Sequence, residues 1–199
     1  VPRARAVTQV AHGSARVNEV ASNRRVARGA DGRITRMRGS SNKDAVLAAL
    51  PEGLIDPLLR TLAFFERGRK IAACHYYATH PMSYYGDGRV SSDFCGLARK
   101  RRQADEPDCA HLYFTGCAGN IAAGKYNDGT LASRVRLTER IYRGIAASEA
   151  NLRPEPLDRV AWRTEFLRPA PNPALGPAAL AELMQKQSDA VVARMRPAF

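Results

Sequence analysis

The chain has no pair of cysteines at C-x-x-C spacing. Cys74, Cys95, Cys109 and Cys117 stand 21, 14 and 8 positions apart, which argues against a cysteine zinc site and neither requires nor excludes disulfides. Long hydrophobic runs are also missing. The longest, Ile71 to Ala78, has a histidine inside it and falls far short of the ~20 residues of a membrane-spanning helix. There is no internal repeat, and no basic segment followed by an apolar one of the kind that marks a signal peptide. The first residue is Val1 rather than methionine, so the chain reads as a processed or truncated piece. Acidic residues are few, 19 against 31 Lys plus Arg, a formal charge of +12. That excess favours an anionic partner, nucleic acid or a lipid surface. The basic residues are dispersed, however, and the single run, Arg99-Lys100-Arg101-Arg102, reads as a solvated helix end. Specific nucleic-acid recognition is therefore not expected.

What is present is ordinary for a globular protein: 45% hydrophobic and 25% charged residues over 199 positions, enough for one domain or part of one. Ser14 to Val26, the turn signal Gly29-Ala30-Asp31-Gly32 and Ile34 to Met37 predict a hairpin. Asp44 to Leu50 is a short helix stopped by Pro51. Leu58 to Phe65 and Lys70 to Thr79 are β-prone runs joined by Glu66-Arg67-Gly68-Arg69, an antiparallel hairpin. Both runs are apolar on both faces, which predicts central strands covered on each side. Ser91-Ser92-Asp93 offers a helix N-cap, Cys109 to Thr115 a strand, and Thr130 to Ala150 a helix with Leu131, Val135, Thr138, Tyr142 and Ile145 on one stripe. Val160 to Leu167 reads as a further strand. Pro169 to Pro177 is a proline-rich connector, residues 169–177, and Pro177 opens a last helix through Leu180, Leu183, Met184, Gln187 and Val191. Together these give an α/β fold, a mixed β-sheet with antiparallel hairpins and flanking helices.

Chemistry is expected where the second β-prone run ends, in Ala78-Thr79-His80-Pro81-Met82-Ser83-Tyr84-Tyr85-Gly86-Asp87-Gly88, a histidine followed by a turn-rich loop. His80 is the best metal-ligand candidate, since imidazole suits zinc and a strand end is rigid; it reads equally as a histidine satisfied by neighbouring hydroxyls. His75 reads as a packed core residue, and His12 and His111 as structural. Tyr84 and Tyr85 in the loop are candidates for contacting a ligand, as is Cys117 in the loop after the next strand. Gly119-Asn120-Ile121-Ala122-Ala123-Gly124-Lys125-Tyr126 nearly spells a phosphate-binding loop, but Tyr126 replaces the required small hydroxyl.

Thr79-His80-Pro81-Met82-Ser83, then Val90-Ser91-Ser92-Asp93 and Gly96-Leu97-Ala98, then Phe114-Thr115-Gly116-Cys117-Ala118-Gly119-Asn120, resemble in order and spacing the neutral/alkaline non-lysosomal ceramidase family and its bacterial relatives, over roughly Asn23 to Ile145. The family is one of zinc-dependent amidases that cleave the N-acyl bond of ceramide, typically secreted, periplasmic or membrane-surface-associated. The resemblance implies that His80 is a zinc ligand and that residues 1–199 are part of a single catalytic domain acting on a lipid or other N-acyl amide. It places the family's first zinc-binding histidine upstream of Val1, its glutamate and tyrosine ligands beyond Phe199 or unidentified, and its catalytic serine where this chain has Ala122. Gly119 and Asn120 then mark the catalytic loop, with backbone N–H groups from Gly116 to Asn120 facing the developing oxyanion. Oligomeric state is left open.

Overall fold

A computed structural model describes residues 4–84, 88–170, 172 and 176–186. The chain divides into two compact units, Val1–Arg159 and Val160–Phe199.

The first unit is built on the hairpin of β5 (Leu58–Glu66) and β6 (Arg69–Tyr77). Its two turn residues, Arg67 and Gly68, have φ of 50° and 83°, the doubly left-handed turn whose twist matches that of the flanking strands. β1 (Gln9–Arg16) runs antiparallel to β5, with His12 opposite Leu62. β7 (Ala110–Thr115) runs parallel to β6, with Ala73 opposite His111. A parallel pair requires a crossover, and α2 (Asp93–Asp105) supplies it. With β9 (Glu155–Pro156) beside β1, the order is β7-β6-β5-β1-β9, a mixed sheet as the sequence implies.

α2 and α3 (Leu131–Glu149) pack on one face of this sheet and on each other. The core between them holds Val17, Leu59, Tyr77, Phe94, Leu137, Ile141 and Ile145. Each such side chain contributes roughly 1.5–3 kcal/mol when taken from water. α3 lies close to the sheet because a Cβ at Gly144 would stand 2.5 Å from Val17 Cγ2.

Four sequence expectations need correction. The buried stripe of α3 is Ser133, Leu137, Ile141, Gly144, Ile145, Ser148 and Glu149, whereas Leu131 and Val135 are 53% and 68% exposed. Polarity misplaces the stripe because two of its serines are buried by hydrogen bonding. The predicted first hairpin survives only as β3 (Ala27–Arg28) against β4 (Ile34–Arg36). The chain before it is claimed by β1, and by β2 (Ser22–Asn23), which pairs with β8 (Ile121–Ala122) about a hundred positions later. The hairpin strands are covered on one face only among the described residues: Leu62, Tyr76, Leu112 and Phe114 on the other remain partly exposed, with the Tyr76 and Phe114 rings stacked at 5.0 Å.

The fourth correction lies in the second unit. Val160 to Leu167 forms no strand, and its Trp162 and Phe166 side chains are exposed. Alternating apolar residues favour extended backbone, but a strand needs a ladder partner, and the described residues provide none. α4 (Pro177–Gln185) begins at the predicted proline. Gln187 and Val191 lie outside the described residues.

Candidate metal-binding loop at His80

β6 stops at Tyr77, three residues before His80. Beyond it the chain curls through two tight turns, Thr79 N–H to Tyr77 O at 3.1 Å and Met82 N–H to His80 O at 2.9 Å. These present His80, half-buried, to β8. The backbone N–H of His80 and its ring Nδ1 both meet the carbonyl oxygen of Ile121, each at 3.0 Å. A carbonyl only accepts, so Nδ1 carries the proton and Nε2 of the neutral ring keeps its lone pair. Metal-ligating histidines are commonly held this way, the other ring N–H on a backbone carbonyl.

Ile121 is placed by the β2–β8 pair and by a turn closed from Ile121 N–H to Ala118 O at 3.0 Å. Gly119 and Asn120 form the apex of that turn. Gly119 is exposed, and a Cβ there would meet nothing within 4 Å. Asn120 is half-buried, and its carbonyl accepts from Arg24 N–H at 2.8 Å. Of the expected oxyanion loop, Gly116 is already committed, its N–H donating to Tyr77 O at 3.1 Å. Ala122 is fully buried opposite Ser22. The Ser22 hydroxyl donates to Ala122 O at 2.8 Å and accepts from Lys125 N–H at 3.2 Å, so it ties strands together.

The loop after His80 is pinned at its next step. Ser83 is buried, its N–H donates to Asp93 Oδ2 at 2.9 Å, and its hydroxyl donates to Asp93 Oδ1. Asp93 is the first residue of α2 and sits at φ 49°; its carboxylate also accepts from Phe94 N–H at 2.6 Å, where the helix dipole favours negative charge. Asn127, also buried, donates to both Ser83 O and Ser40 O, at 2.9 and 2.7 Å. Tyr84 turns toward α3, with the Arg134 guanidinium 5.0 Å above its ring. Tyr85 lies outside the described residues. Cys117 is exposed beside a cavity of about 250 Å³ at the C-terminal ends of β6 and β7, shared with Asp56, Arg60, Tyr76, Ala78 and Gly116.

The phosphate-loop lookalike has other work. The Lys125 ammonium donates to the carbonyls of Ala48 and Leu50, at 2.7 and 2.6 Å, at the end of the short helix α1 (Ala45–Ala49). Arg38, fully buried, donates to Leu47 O and Leu50 O at 3.0 Å each. Cations there suit the helix dipole. Gly124 is required because a Cβ would overlap the Gly39 carbonyl oxygen.

Sequence reasoning missed a polar cluster beneath the helices. His75 and His111, both buried, stack with ring centroids 5.3 Å apart and His75 Nε2 2.9 Å from His111 Nδ1. Ligand atoms of His75, His111 and Glu149, and of Glu106, Cys109 and His111, lie within 4.8 Å of one another, a spacing that could hold a metal ion. The carboxylates are already matched: Lys70 bridges Glu106 and Glu149 at 2.7 and 2.6 Å, and Arg102 does the same at 2.9 and 2.7 Å. Burial raises the Glu149 carboxyl, but Lys70 and Arg102 outweigh it and hold the group below its ordinary value. Burial pushes His75 down to about 4, lowers His111, and raises the Cys109 thiol to about 11. Two cations against two carboxylates leave no net negative charge to attract an ion, so the spacing alone does not make a metal centre. The signal was the strand register: Ala73 pairs with His111, which puts His75 and His111 on one face of neighbouring strands.

No family model matches the chain, and no curated protein matches it. Among solved structures it is similar to a ceramidase described as complexed with C2 and to the neutral ceramidase of Pseudomonas aeruginosa. Each match has 18% identity and a TM-score of 0.47, and covers 71% of this chain and 23% of the solved one. The chain thus spans less than a quarter of the length of either solved ceramidase.

Proposed function

We propose that the chain is part of the catalytic domain of a zinc-dependent amidohydrolase that cleaves an N-acyl amide of a sphingolipid or related lipid, with His80 Nε2 as one zinc ligand. The observation that carries this reading is the fixed tautomer of His80, held by Ile121 O so that Nε2 stays free to bind. The ordered motifs around His80 and Gly116 to Asn120 support it. Neither group of side chains with metal-ligand spacing among the described residues includes His80. Zinc, when bound, polarises an amide carbonyl and lowers the pKa of a bound water to about 7.

The chain's own residues have simpler tasks. Ile121 orients His80, Ser83 and Asp93 hold the loop that carries it, and the backbone N–H groups of Gly119 and Asn120, at an open turn apex, face a developing oxyanion. Tyr84, Tyr85 and Cys117 contact the substrate. Ala122 supplies no nucleophile, so attack falls to water. A lipid amide would be met at a membrane surface, in a secreted or periplasmic setting.

A second reading, a non-catalytic relative that binds the same lipids or an anionic surface, is favoured by Ala122. The two are separated by incubating the longest natural form with an N-acyl sphingosine and zinc, then measuring released fatty acid with and without a chelator. Chelator-sensitive release supports the enzyme. Binding without release supports the relative.

A further inference from the structure

The buried histidine pair belongs to a chain of five side chains that crosses the helix–sheet layer. Ser148 Oγ lies 2.6 Å from Thr61 Oγ1, Thr61 Oγ1 2.8 Å from His75 Nδ1, His75 Nε2 2.9 Å from His111 Nδ1, and His111 Nε2 3.2 Å from Glu106 Oε2. An ionised carboxylate only accepts, so His111 Nε2 carries a proton and its Nδ1, in the neutral ring, is bare. His75 must then donate through Nε2 and accept at Nδ1 from the Thr61 hydroxyl, which in turn accepts from Ser148. Every direction follows from Glu106. One contact is left over: Ile145 O lies 2.8 Å from Ser148 Oγ, whose single proton already points to Thr61.

We infer that this chain is a built proton-accepting site, in which His75 takes up a proton at Nδ1 while the two hydroxyls rotate to keep every hydrogen bond. In the protonated state His75 Nδ1–H donates to Thr61, Thr61 to Ser148, and Ser148 to Ile145 O, the contact its hydroxyl proton did not serve before. The proton comes from solvent, no bond other than N–H forms, and His111 and Glu106 keep their roles. The groups facing the His75–His111 pair are Thr61 on β5, Lys70 on β6, Arg102 on α2, Glu106 and Cys109 in the turn after it, and Ser148 and Glu149 on α3, with Glu106 and Cys109 on the His111 side. Glu149 favours the cation; burial, His111, Lys70 and Arg102 oppose it. Uptake therefore belongs to acid conditions, and it leaves α3 hydrogen-bonded to β5.

Nitrogen-15 NMR of the imidazoles in the full chain tests this. At pH 7.5 both rings should be Nε2–H tautomers, and on acidification His75 should titrate while the fold persists. Ser148→Ala removes the acceptor that the Thr61 hydroxyl needs only in the protonated state, so it should lower the His75 midpoint by about one pH unit, a tenfold loss of proton affinity. Should that variant not fold, Thr61→Val, which removes the acceptor of the protonated ring, must lower the midpoint at least as far. An Nδ1–H tautomer of His75 at pH 7.5, a midpoint unmoved in either variant, unfolding before His75 titrates, or stoichiometric zinc on the pair would each overturn the inference.

Discussion

Ser22 and Ala122, a hundred positions apart in the chain, face each other in a two-residue ladder, and the Ser22 hydroxyl donates to the Ala122 carbonyl at 2.8 Å. This ladder holds Ile121, and through Ile121 O it holds His80. Ser22→Ala leaves Lys125 N–H without its acceptor and should lower stability by about 1–2 kcal/mol. It should also weaken zinc binding by the longest natural form by roughly tenfold or more, the scale of losing a partner behind a ligand. Denaturant titration and chelator competition measure the two; an unchanged zinc affinity would remove the ladder from the site.

Glu149 has a 4% exposed side chain held by Lys70 and Arg102. Glu149→Gln leaves two mostly buried cations to share the single carboxylate of Glu106. Removing one member of such a set costs about 3–5 kcal/mol, and urea unfolding should show a loss near the low end, because Glu106 still holds both cations. A loss below ~1 kcal/mol would mean that solvent reaches the cluster.

Stability should fall in acid before carboxylates titrate. His75 has its pKa lowered from 6.5 to about 4, so the unfolded chain binds the proton first. The stabilisation is complete above about pH 6.5 and is lost as pH falls through about 4, amounting to about 3 kcal/mol. Glu149, held low, adds a loss of the same sign below the ordinary carboxylate range. Unfolding free energies from pH 7.5 to 4.5 provide the check; a flat profile between 7 and 5 would contradict neutral burial of His75.

Two glycines of the same loop should behave oppositely. Gly124→Ala drives a Cβ into the Gly39 carbonyl and should destabilise by about 1–3 kcal/mol, as overpacking does. Gly119→Ala meets open space and should leave the melting temperature within about 2 °C. Thermal unfolding of both decides it, and equal effects would argue against the loop's placement.

Local chemistry was legible in the sequence. Arg67-Gly68 announced the β5–β6 turn, the Tyr, Ser, Asp and Gly residues after His80 announced a loop, and the helices expected from Asp44 and Thr130 start one residue later with those two residues as their N-caps. Long-range pairing was not. Nothing near Ser22 points to Ala122, and His75 and His111 meet through the register of a parallel strand pair, while Glu149 reaches them from α3 through Lys70 and Arg102. Leu131 and Val135 misled because apolar spacing fixes a helix's face only when no buried serine or glutamate competes for it. The strand expected at Val160 has no partner among the described residues, and no local pattern can supply one.

The most direct measurement is zinc content, by elemental analysis, of the longest natural form carrying His80→Ala, beside His75→Ala as a folded-state control. His80→Ala should lose stoichiometric zinc and all amidase activity with its fold intact, while His75→Ala should keep its zinc and lose stability. Full zinc occupancy in His80→Ala would contradict the assignment of His80 as a ligand.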